Sequence, residues 1–229
     1  MTDEKADKKI YHIPENDRKF TALIVLTALL VTTYLTANIM AVKLITVFNL
    51  TLFDAGTITF PLAYMLGDVI TEIYGFKMAK KLIWLTFFCN ILLVASTSIG
   101  IVLPFPEYMS ETQAAYSHIF TVVPRILAAS LIAFVAGELL NAYFMVLIKK
   151  RTGEKHLWLR TIGSSVVGYL VDTVLFVLLA FSFTDVPPKD LVTMIIAQYL
   201  MKLLIESVCG TPLAYAVIAW IKGGKKKSL

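Results

Sequence analysis

Apolar runs of about 20 residues recur along this 229-residue chain, separated by short polar segments. A helix rising 1.5 Å per residue needs roughly 20 mostly apolar residues to cross a bilayer. Six segments meet or approach that length: 20–42, 56–74, 82–103, 124–148, 161–183 and 191–221. The second is the shortest and most polar, and the last is long enough to tilt or to extend past the bilayer. The pattern predicts an all-α integral membrane protein, a bundle of six transmembrane helices over residues 20–221. A polar tail (1–19) precedes the bundle and a basic tail (222–229) follows it. The first tail has neither an apolar core nor a cleavage site, so it does not read as a signal peptide.

Composition agrees. The chain is 58% hydrophobic and only 16% charged, against about a quarter charged in soluble domains. Cys89 and Cys209 both fall in apolar segments and read as small packing residues, with no disulfide and no metal implied.

Most Lys and Arg residues gather on one side of the predicted bundle. They are the tail residues Lys5 to Lys19, then Lys77, Lys80 and Lys81, then the run from Lys149 to Arg160, and finally Lys222 to Lys227. The opposite side carries Lys43, Arg125 and Lys189. Positive charge is retained inside, so both termini are expected to be cytoplasmic. This distribution accounts for the net charge of +5 with no nucleic-acid partner. No phosphate-binding Gly-rich loop ending in Gly-Lys-Ser/Thr occurs, so pumping would draw on an ion gradient or on a partner.

The longest loop, 104–123, faces outward. Its stretch SETQAAYSHIF predicts a small interfacial helix, with Ser110 as N-cap and Gln113 completing a capping box. Pro124 then suits the first turn of the fourth span.

The informative residues are ionisable groups inside the apolar segments: Asp68, Glu72, Glu138, Asp172, Glu206 and Lys202. Ionised groups in hydrocarbon cost several kcal/mol unless they face a bundle interior or a wet cavity. Asp68 and Glu72, four residues apart, share a helix face and repel each other. That suits a proton carrier, or a site awaiting a donor-rich or cationic ligand; Glu72 equally suits simple contact with water at the cytoplasmic end. Gln198, Lys202 and Glu206 follow at i, i+4 and i+8, so Lys202 can pair with Glu206 along the helix. Glu138 and Asn141 lie toward the cytoplasmic end of their span, where snorkelling is the simpler account. Ser164, Gly168 and Asp172 form one stripe, and Asp172 is hard to explain by packing. Asn38 suits a hydrogen bond between helices, with or without a ligand. Phe60, Tyr64, Tyr74, Phe176 and Tyr199 lie within a few turns of these charges and include candidates for stacking on a flat ligand. The small-residue pattern Ala37/Ala41 suits a docking face for another subunit, and the face at Ser130, Ala133 and Gly137 suits either a homodimer or packing within one chain.

The run AGTITFPLAYMLGDVITEIYG resembles the signature segment of the queuosine precursor transporter family, also called vitamin uptake transporters. Further similar segments are NIMAVK, PRILAASLIAF, GYLVDTVLF and YLMKLLIES with Thr211-Pro212. The resemblance covers nearly the whole chain after the first tail. It implies six membrane helices and import of 7-deazaguanine precursors for tRNA modification. The matching positions are Asn38, Phe60-Pro61, Asp68, Arg125, Asp172 and Lys202. Lys43, Glu72, Glu138 and Gln198 fall where members differ, and those differences would tune the choice among cyano, aminomethyl and queuine forms. The expected substrate-binding set is therefore Asn38, Asp68, Glu72, Arg125, Asp172, Gln198, Lys202 and Glu206, with no cofactor. The expected partners are a nucleobase-like small molecule and the lipid bilayer. A carboxylate accepts both donors of the guanidine-like edge at once, at about 1.5–3 kcal/mol per charge-assisted bond.

Three alternatives remain at this level. The first is a substrate-capturing subunit of a partner-energised vitamin transporter. The second is an intramembrane enzyme, disfavoured because His12, His118 and His156 all lie in the tail or loops and no HExxH or GxSG pattern occurs. The third is a structural membrane protein, disfavoured by the buried acidic groups.

Overall fold

A computed structural model describes residues 18–48, 50–153, 156–182 and 186–222. The tail residues 1–17 and 223–229 lie outside the described residues, as do Lys155 and the predicted end of the fifth span at Phe183. Helix α1 (Arg18–Met40) leads into a hairpin of β1 (Leu44–Val47) and β2 (Leu50–Asp54). A 3-10 turn (Ala55–Ile58) joins the hairpin to α2 (Phe60–Tyr74). Next come α3 (Phe76–Val102), α4 (Ser110–Thr152) and α5 (Leu157–Phe181). Helix α6 (Pro188–Ile205) passes through a π-helical turn (Glu206–Gly210) into α7 (Thr211–Ile221).

The helices invert the pattern of a soluble protein. Ile24, Phe88, Leu92, Val102, Ile132 and Leu204 are exposed, while Asp68, Glu138, Asp172, Lys202 and Glu206 are buried. Five helical stretches are long and apolar enough to cross a membrane. Such a surface suits lipid, and the chain is an all-helical, multi-pass membrane protein with one small hairpin added.

The second predicted span departs most from expectation. Helix α2 has 15 residues, about 22 Å of rise, and it is not among the five. Twelve of its residues are buried, so it is the central post of the bundle. Thr59 precedes it and Pro61 opens its first turn, where a missing N–H costs nothing. Gly75 ends it at φ +80°, which allows α3 to start at once.

The hairpin lies between the first two predicted spans. Its antiparallel register pairs Leu44 with Asp54 and Val47 with Leu50, with an irregularity between the Ile45 and Thr46 pairs. Beyond it, the turn at Gly56 lies against the Ala37 carbonyl, where a Cβ would overlap the backbone.

The predicted interfacial helix is instead continuous with the fourth span, as the 43-residue α4 with Pro124 inside it. The capping box does not form: Met109 is the N-cap and makes no side-chain cap bond. Gln113 donates instead to the Ile101 carbonyl at 3.0 Å, tying α4 to the end of α3.

Helix α4 packs most extensively on α5. A Cβ at Gly137 would lie 2.9 Å from the Gly168 carbonyl oxygen, and one at Gly168 would lie 3.1 Å from that of Gly137. Ser130, Ala133, Gly137, Ala37 and Ala41 are all buried within the chain. Those small-residue faces are therefore used inside one protomer and do not offer the subunit-docking surfaces considered above.

Candidate functional site

Polar side chains from α2, α4, α5, α6, the π turn and the end of the hairpin converge in the bundle interior. One half of this cluster is centred on a cation. Lys202 Nζ lies 2.6 Å from Asp172 Oδ2 and 3.3 Å from Thr173 Oγ1. It also lies 5.1 Å from the centroid of the Phe60 ring, within range of a cation–π contact. The expected Lys202–Glu206 pairing is thus corrected: the lysine reaches across to α5. Crossing between helices gives it a closer carboxylate than the next turn of its own helix offers.

Asp54 enters the same half from the hairpin and interacts with Lys202. Its carboxylate accepts from the Thr57 backbone N–H at 3.2 Å and from Gln198 Nε2. Gln198 Nε2 also lies 2.9 Å from Thr57 Oγ1. Gln198 is therefore placed beside Lys202, as expected from their i, i+4 spacing, while Asp54 lies outside the expected set.

The other half is acidic. Asp68 Oδ1 accepts from Asn141 Nδ2 at 2.7 Å. Glu206 Oε2 accepts from the Tyr169 hydroxyl at 3.1 Å. Glu206 and Glu138 both lie close enough to Asp68 to repel it. Glu138 sits over Gly67, where a Cβ would lie 2.8 Å from Oε1. Glu138 and Asn141 are 1% and 0% exposed, so the snorkelling account is overturned for both. The Tyr64 and Tyr169 rings pack beside these groups with centroids 4.4 Å apart and planes tilted by 46°.

Several atoms in this half have no hydrogen-bond partner among the described residues: Tyr64 OH, Asp68 Oδ2, Glu138 Oε1, Asn141 Oδ1 and Glu206 Oε1. Gln198 Oε1 adds a sixth. Each such buried group costs about 1–3 kcal/mol. Five of the six are acceptor oxygens, so the cluster suits a ligand rich in N–H donors.

The other expected site residues lie elsewhere. Asn38 donates to Asn90 Oδ1 at 2.7 Å and accepts from Ser130 Oγ at 2.5 Å. The Tyr34 hydroxyl also bonds Ser130. This network ties α1, α3 and α4 together. Glu72 anchors an ion cluster at the opposite end of α2. Its Oε1 lies 2.8 Å from Lys149 Nζ, 3.1 Å from Arg160 Nη2 and 4.0 Å from Lys222 Nζ. Arg160 also donates to the Gly153 carbonyl at 2.9 Å and is fully buried. Arg125 is exposed on α4, thirteen residues and so about 20 Å along the helix from Glu138. Of the aromatic candidates, Tyr199 is half-buried and bonds the Val166 carbonyl, while Tyr74 bonds the Lys19 carbonyl.

A family model described as "Putative vitamin uptake transporter" matches residues 54–217. The "Probable queuosine precursor transporter" of Bacillus subtilis (strain 168) is 31% identical over 194 residues, covering 84% of this chain and 82% of that protein. Its namesake from Haemophilus influenzae is 28% identical over 165 residues, covering 71% of this chain and 67% of that one. The "Queuosine precursor transporter" of Escherichia coli (strain K12) is 25% identical over 167 residues, covering 71% of each chain. No solved structure matches the chain significantly. The matched region takes in Asp54, Asp68, Glu138, Asn141, Asp172, Gln198, Lys202 and Glu206, and it spans well over half of the sequence: this chain belongs to the vitamin uptake transporter family.

Proposed function

We propose that this chain imports 7-deazaguanine precursors of queuosine across the bacterial inner membrane, through a site at the centre of the bundle. The observation that carries this reading is the set of buried oxygens of Asp68, Glu138, Asn141 and Glu206 without hydrogen-bond partners among the described residues. A 7-deazaguanine offers adjacent N–H donors on its guanidine-like edge, and a carboxylate accepts two of them in parallel. Asp68, held by Asn141, takes that edge. Lys202 donates to the ring carbonyl while Asp172 fixes its position. Tyr64 and Tyr169 supply flat apolar surface for the ring. Gln198 and Glu206 border the site, and Asn38, Glu72 and Arg125 support the bundle from outside it. The names of the relatives agree with this substrate class.

The chain crosses the membrane six times, with both termini cytoplasmic. The 3-10 turn and α2 together rise about 30 Å, and their two ends meet α1 near Ala37 and at Lys19. That pairing supports a full crossing antiparallel to α1. Basic residues flanking both chain ends support the orientation.

The test is tRNA queuosine content in a host that neither makes nor imports the precursors. This chain is expressed alone and nanomolar cyano, aminomethyl or queuine forms are supplied separately. Restored modification with one form supports import and names the substrate. No restoration with any form, given confirmed membrane expression and working salvage enzymes, overturns the proposal.

A further inference from the structure

We propose that Asp68, Glu138 and Glu206 form a proton site and that import is coupled to proton entry, an inference that rests on the import reading above. The three carboxyl groups come from α2, α4 and the π turn and are at most 1% exposed. Two neutral donors serve them: Asn141 on Asp68 and Glu138, and Tyr169 on Glu206. The buried cations are engaged elsewhere, Lys202 on Asp172 and Arg160 on Glu72 and the Gly153 carbonyl. Three mutually repelling charges in a medium of low dielectric would each cost several kcal/mol without a counter-ion. The cluster therefore holds protons.

A second observation points to a ligand here. The Tyr64 hydroxyl is fully buried and has no partner among the described residues, although Asp172, then Glu138, then Asp68 act on it. A metal ion is the weaker occupant, because the described residues contain no group of three His, Cys, Asp or Glu side chains disposed to hold one. A proton needs no such shell.

Glu206 is the best placed carrier. It opens the π turn, a backbone insertion frequent at functional sites. Its head lies over Gly210, where a Cβ would come within 2.6 Å of Oε2. The groups facing this turn are Asp68 from α2, Glu138 from α4, Tyr169 from α5 and Lys202 one turn earlier on α6. On α7 the one ionisable group, Tyr215, has its hydroxyl on the Trp158 backbone N–H.

The step is a simple one. A proton from water on the outer side forms an O–H bond on a carboxylate; on the cytoplasmic side that bond breaks and the proton returns to water. Substrate binding needs one carboxylate as acceptor. Protons on the other two groups remove the repulsion that would otherwise oppose that charge, so proton loading favours substrate loading.

The test uses the purified full chain in liposomes, with labelled 7-cyano-7-deazaguanine as a neutral probe. With the outer pH one unit below the inner, one proton per substrate predicts accumulation up to about tenfold above the outer concentration. A protonophore should return the ratio to one, and a sodium gradient should not replace the proton gradient. Glu206→Gln should lose accumulation against a gradient, and Tyr169→Phe should shift the pH profile of uptake. Wild-type uptake that equilibrates at a ratio of one, whatever the pH gradient, overturns the coupling and leaves the import reading standing. No uptake under any condition overturns both.

Discussion

Asn141 Nδ2 lies 2.7 Å from Asp68 Oδ1, and through that bond α4 fixes the carboxylate of α2. The bond leaves Asp68 Oδ2 and Asn141 Oδ1 without partners among the described residues, so the pair presents two acceptors from one rigid unit. Asn141→Ala should therefore weaken uptake by about tenfold, the value of one charge-assisted bond. Asn141→Asp should abolish uptake, because it adds a fourth carboxylate. Initial uptake rates at matched membrane abundance check both.

Asp172 and Lys202 form the central ion pair, and removing either partner alone strands a buried charge. Lys202→Met should destabilise the protein by about 3–5 kcal/mol. Adding Asp172→Asn to Lys202→Met should recover much of that loss without restoring uptake. Thermal unfolding in detergent beside the uptake assay separates the two effects. Equal stability in the single and double variants would contradict a pair of this kind.

Glu72 holds α2 to α4, α5 and the end of α7 through Lys149, Arg160 and Lys222. Arg160 is fully buried, whereas the Lys149 and Lys222 side chains are 29% and 39% exposed. Glu72→Gln should thus cost about 3 kcal/mol by removing the carboxylate that faces the buried Arg160. Lys222→Met should cost less than about 1 kcal/mol, as exposed pairs do. The same unfolding assay reads both.

Gly137 and Gly168 let α4 and α5 touch backbone to backbone. A Cβ at Gly137 would lie 2.7 Å from the Asp172 Cβ and would also overlap the Tyr64 hydroxyl. Gly137→Ala should cost about 1–3 kcal/mol through overpacking and displace Asp172 from Lys202. Lowered thermal stability together with lost uptake is the expected result. An unaffected protein would show that the helices have room to separate.

Asp68, Asp172 and Lys202 were legible because an ionisable residue inside an apolar run has few explanations. Glu138 and Asn141 lie toward the cytoplasmic end of α4 but on the face that meets Gly67 and Asp68 of α2, and depth along a span says nothing about which face is buried. Asp54 lay outside every apolar run. Its signals were the β-favouring residues of LITV and LTLF and an Asp three residues before Thr57, the spacing of a local side-chain cap. The partner of Lys202 was not legible, since spacing along one helix says nothing about the carboxylates of its neighbours.

The most direct measurement compares uptake of labelled 7-cyano-7-deazaguanine and 7-aminomethyl-7-deazaguanine by cells expressing the wild-type chain, Asp68→Asn or Asp172→Asn, at equal membrane abundance. The account predicts saturable uptake of at least one compound by the wild type and none by either variant. Normal uptake in both variants would contradict a site built on these carboxylates.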